Sequence, residues 1–171
     1  DPSVMGWLTV VLYAVGAWQC YRIAAEQAHR FAPREVMLWR LLALGLLALG
    51  INKQLDLQTA FTEIGRMVAA HQGWYERRHE VQINFIYGVV AFAGLTAAAL
   101  AVLARKSHPA TISAVIGGMC LLAFIVVRAA SFNHVDLFLG SDFLGLKMNW
   151  VLEMGGIGII IAAARRRSRS G

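Results

Sequence analysis

Apolar residues in this chain gather in long runs, separated by short polar breaks. A helix needs about 20 predominantly apolar residues to cross the roughly 30 Å hydrocarbon core of a bilayer. Five segments meet or approach that length: residues 4–25, 35–52, 81–103, 111–133 and 146–164. The third is the most uniform. Arg40 interrupts the second, Arg128 lies inside the fourth and Glu153 inside the fifth. The pattern predicts an all-α integral membrane protein, a single bundle of about five transmembrane helices. The first run has no basic stretch before it and no small-residue cleavage site after it, so it is expected to be a retained span.

A different pattern fills the gap between the second and third runs. Leu57, Phe61, Ile64, Val68 and His71 recur at helical spacing, whereas Thr59, Glu63 and Arg66 lie elsewhere on the wheel. Residues 55–72 are therefore expected to form an amphipathic helix lying on the outer face of the membrane. Gln72-Gly73 would end it, and Trp74 and Tyr75 suit the headgroup region. Such a helix serves either as a lid or as an interfacial connector.

Composition sharpens this picture. Apolar residues make up 58% of the 171 positions and charged residues 15%, against about half and a quarter in an ordinary soluble domain. The mean hydropathy is +0.56. The net charge of +6 would suit nucleic acid in a soluble protein, but here the cations cluster beside apolar runs, so no nucleic-acid partner is expected. Cys20 and Cys120 fall within apolar segments and read as small buried residues.

The cations also orient the chain. Arg22, Arg30 and Arg34 border the first loop, Arg105 and Lys106 the third, and Arg165, Arg166, Arg167 and Arg169 follow the last span. The positive-inside rule then puts these loops and the C-terminus in the cytoplasm and the N-terminus outside, as in a bacterial inner membrane. The terminal arginines serve as a topology anchor and would attract anionic headgroups.

Charged groups inside spans are expensive and mark candidate sites. They collect near the outer ends of the helices. Asn52, Lys53 and Asp56 end the second span, His79 begins the third, Arg128, Ser131, His134 and Asp136 end the fourth, and Asn149 and Glu153 open the fifth. Arg128 and Glu153 lie about 7.5 and 10 Å from their outer ends at 1.5 Å per residue, which predicts an ion pair between neighbouring helices.

Several chemistries fit this cluster. Glu153 or Asp136 would serve as general base, and Arg128 or Lys53 would stabilise developing negative charge, in hydrolysis or transfer of a lipid headgroup. Asn52, Asp56, Ser131 and Asn149 would bind the ligand. His134, Asp136, His79 and His71 offer imidazole and carboxylate to a divalent metal such as zinc. On a continuous helix His134 and Asp136 point about 200° apart, so they share an ion only where the helix has ended. His79 and His134 would alternatively ligate a haem, or one of them would bind a quinone. A non-catalytic alternative is an accessory subunit of a membrane complex, or a homo-oligomer: small residues in the third span (Gly88, Ala91, Ala98, Ala99), the fourth (Gly117, Gly118) and the fifth (Gly155, Gly156, Gly158) permit close helix approach, and the polar outer cluster is then a docking surface or a structural network. A transporter fits poorly, because no polar route continues toward the cytoplasmic ends.

Overall fold

A computed structural model describes the backbone of residues 4–55, 78–130, 142–143 and 146–170, and the side chains within them except 5, 78–83, 129–130 and 142–151. These residues form five helices: α1 (Val4–Glu26), α2 (Pro33–Leu55), α3 (Arg78–Ala104), α4 (Pro109–Ala130) and α5 (Met148–Arg169). Two residues of β1 (Asp142–Phe143) pair antiparallel with two of β2 (Leu146–Lys147), Asp142 opposite Lys147 and Phe143 opposite Leu146. The last helix therefore starts after Leu146–Lys147, later than hydropathy suggests, and runs on through its arginines. Arginine is a good helix former, and its long stem lets the charge leave the apolar zone. The expected amphipathic segment, residues 55–72, lies outside the described residues apart from Leu55, which ends α2.

Among the described residues, four helices, α1 to α4, are long and apolar enough to cross a membrane. Their exposed faces carry Trp7, Val11, Leu44, Leu47, Phe85, Phe92, Leu95 and Ile116, far more apolar surface than a soluble monomer presents to water. The chain is a helical membrane bundle.

Local signals set the helix ends. α2 and α4 each open with proline at the first helical position, where its missing N–H costs nothing. The His108 ring Nδ1 accepts the Ala110 N–H at 3.2 Å, which caps α4, so this histidine has a structural task that a solvated loop position would not need. The turn from α3 to α4 is closed by Ser107 N–H donating to Ala104 at 3.0 Å, with Lys106 at a φ of 69°.

The core lies among α1, α2, α4 and α5. α1 packs against both α2 and α5, and α4 joins α5 to α2, so α2 and α5 stand on a diagonal. Buried residues of α1 recur at helical spacing: Tyr13, Ala17, Cys20, Ala24. Trp39, Leu42 and Leu46 of α2 face Ile157 and Ile160 of α5 within one cluster. Glycine permits the closest crossing. A Cβ on Gly117 would sit 2.8 Å from Ile160 Cγ1 and 2.9 Å from the Gly156 carbonyl oxygen, and one on Gly156 would sit 2.9 Å from Leu121 Cγ. Small residues let membrane helices approach this closely and gain van der Waals contact. α3 stands at the periphery, burying only Ala93, Leu100 and Ala104 among its described side chains.

Candidate functional site

The buried stripes of α2 and α5 begin and end with charge. In α2 the stripe runs Glu35, Trp39, Leu42, Leu46, Gly50, with Lys53 one turn further. In α5 it runs Glu153, Ile157, Ile160, Ala164, Arg167. Glu35 and Lys53 are five turns apart, roughly 27 Å, and Glu153 and Arg167 about four turns, roughly 21 Å. The two helices run in opposite directions, so each acid meets a base at each end of the bundle.

At the end where α1 and α5 begin, the Glu153 carboxylate is 2% exposed. Tyr13 Oη donates to Glu153 Oε1 at 3.0 Å, and Lys53 Nζ donates to Oε2 at 3.0 Å. The Lys53 side chain keeps 22% of its surface exposed. The charge of Arg128, from α4, also reaches the Tyr13 phenol. Tyr13 is fixed from behind, because a Cβ on Gly50 would lie 3.0 Å from Tyr13 Cβ. Three helices thus bring one acid, one ammonium and one phenol together, with the charge of Arg128 from a fourth helix nearby. An ionisable group held inside a membrane span is a functional candidate, and this carboxylate is a candidate base.

Of the residues singled out from sequence, the structure brings Glu153 and Lys53 together, with the charge of Arg128 felt at the neighbouring Tyr13. Glu153 pairs with Lys53, from the diagonal helix, a partner that comparing depths on consecutive helices does not pick out. Asn52 sits half-buried beside Lys53 on α2. The side chains of Asp56, His71, His79, Ser131, His134, Asp136 and Asn149 lie outside those described. Among the described residues, no three of His, Cys, Asp and Glu converge on one point. Sequence patterning does not single out Tyr13, an uncharged residue within an apolar run.

The opposite end holds a second polar knot. Arg167 Nε donates to Glu35 Oε1 at 2.7 Å and Nη2 to Oε2 at 3.4 Å, while the Thr111 hydroxyl donates to the same carboxylate. The Arg167 guanidinium lies 3.6 Å from the centroid of the Phe31 ring. Glu35, Thr111, Arg167 and Phe31 are all buried. Every polar atom of this carboxylate is engaged within the fold, which marks a structural clamp. Helical phase could have found it: Arg167 is the terminal arginine that shares a face with Glu153.

The sequence matches no family model, and no curated protein and no solved structure matches it.

Proposed function

We propose that the chain crosses the bilayer five times, with its N-terminus outside and its C-terminus in the cytoplasm of a bacterial inner membrane. The cluster around Glu153 is then an outward-facing site at headgroup depth that binds a lipid headgroup and hydrolyses or transfers it. The observation that carries this reading is the buried Glu153 carboxylate, held by Tyr13 and Lys53 with Arg128 nearby. Glu153 acts as general base on a water or alcohol. Tyr13 fixes the carboxylate. Lys53, the more exposed partner, swings from Glu153 onto the phosphate, and Arg128 adds to the stabilisation of developing charge. His134, Asp136, His79 and His71 remain the residues that would hold a divalent metal.

The test is headgroup release or exchange from mixed phospholipid vesicles containing the full protein, followed by mass spectrometry. Glu153→Gln keeps the shape and should lower turnover by on the order of 100-fold or more, the usual loss for a general base. Tyr13→Phe should lower it less while leaving binding in place. Unchanged turnover in Glu153→Gln, with the helical fold verified by circular dichroism, would refute the catalytic role.

A second reading rests on α3. Gly88, Ala91 and Ala98 are exposed on this peripheral helix, and nothing lies within 4 Å of a Cβ on Gly88. Such a surface suits an accessory subunit that docks helix to helix. Under this reading, Gly88→Leu abolishes co-purification of a membrane partner, whereas Glu153→Gln does not.

A further inference from the structure

A cleft of about 220 Å³ opens between α1 and α5 at the end where both helices finish. Arg22, Arg165 and Arg169 line it, with Glu26 as the one carboxylate. Arg165 and Arg169 are one turn apart on α5, so both face α1. Arg22 Nε is set in place by Glu26 Oε1 at 2.9 Å, and its guanidinium lies 5.2 Å from the centroid of the Trp18 ring. Three guanidinium groups against one carboxylate leave a surplus of two positive charges. Gln19 also lines the cleft, and its Oε1 is buried with no hydrogen-bond partner.

These features call for a ligand with two properties: an anion for the arginines and a hydroxyl that can donate to Gln19 Oε1. Arginines near helix C-termini also complement the helix dipole, but that role needs neither a cleft between two helices nor an unmatched acceptor in its wall. The volume admits a phosphate with a short polyol. The cleft sits beside Trp18, a half-exposed aromatic of the sort found at the membrane–water boundary. Basic pockets between transmembrane helices at this level bind anionic lipid headgroups.

We propose that the ends of α1 and α5 form a binding site for an anionic, hydroxyl-bearing glycerophospholipid of the phosphatidylglycerol class. Arg22, Arg165 and Arg169 hold the phosphate, and a headgroup hydroxyl donates to Gln19. In the topology proposed above this is the cytoplasmic leaflet. The site does not depend on any activity at Glu153.

Native mass spectrometry of the delipidated full chain in mild detergent tests this, titrating phosphatidylglycerol against phosphatidylcholine of the same acyl chains. Phosphatidylglycerol should bind in preference. Arg165→Gln with Arg169→Gln should weaken it about 25-fold, five-fold for each arginine at about 1 kcal/mol. The control, Arg105→Gln with Lys106→Gln, removes two exposed cations from the same end and should change affinity less than two-fold. Gln19→Leu should weaken phosphatidylglycerol several-fold and leave phosphatidic acid unchanged. Equal losses in the control would show diffuse attraction and overturn the site, as would equal binding of phosphatidylcholine. Competition by soluble glycerol phosphate at concentrations matching the lipid would overturn the lipid assignment in favour of a soluble phosphate. Equal effects of Gln19→Leu on both anionic lipids would overturn the hydroxyl contact.

Discussion

Replacing Arg167 with methionine should be among the most damaging single changes in the bundle. The substitution keeps a long apolar stem but removes two donors from the Glu35 carboxylate, at 2.7 and 3.4 Å. Thr111 alone then remains to a group that is 6% exposed. Breaking a buried pair in this way costs about 3–5 kcal/mol, because one charge stays buried without its partner. A domain with about 5–15 kcal/mol of total stability would lose a large share of it. Removing both charges, with Glu35→Gln and Arg167→Met together, leaves no stranded carboxylate and should recover at least about 2 kcal/mol of that loss. Arg167→Lys should fall between, because lysine keeps the charge but loses the fork and the planar stack over Phe31. The assay is reversible unfolding in mixed micelles by titration with denaturing detergent, followed by circular dichroism. A loss below about 1 kcal/mol for Arg167→Met, the range of exposed pairs, would refute the inference that this carboxylate is buried and clamped.

Two further outcomes check the packing and the membrane setting. Gly156→Val drives atoms into Leu121 and toward the Gly117 carbonyl oxygen, which lies 3.2 Å from its Cβ position, and should destabilise the same unfolding transition by about 1–3 kcal/mol or more. Gly94→Ala, with nothing within 4 Å, should cause no loss, and a matching loss there would remove the close crossing as the cause. Cys120 is exposed midway along α4 while Cys20 is buried. Thiols react as thiolates, which form poorly in hydrocarbon, so a charged maleimide should label neither in intact vesicles and both after denaturation. Rapid labelling of Cys120 in vesicles would place that face of α4 in water.

Long apolar runs made the helices legible, because length against bilayer thickness is a strong constraint. The expense of a charge within a span likewise marked Glu153, Lys53 and Arg128 as residues that must be accounted for. Partner choice was less legible. Ranking charges by depth along consecutive helices favours sequence neighbours, whereas the bundle pairs its diagonal helices α2 and α5. The Glu35–Arg167 clamp stayed hidden for a related reason. An acid in a first turn and an arginine in a basic tail each have an ordinary explanation, and only their phase relative to Lys53 and Glu153 puts both on the core stripe. Tyr13 carries no charge to draw notice, and its role comes from the Gly50 position that lets α1 approach α2.

The placement of both clamps on α5 bears on how the protein is made. Of the five described helices, α5 leaves the ribosome last. Until it packs, the acid at one end of α2 and the lysine at the other lack the charged partners that α5 supplies. A chain arrested before Met148 would expose both, along with the bare seam of α4 around Gly117. An unpaired charge in an apolar setting is costly, so assembly of the core would turn on the arrival of α5.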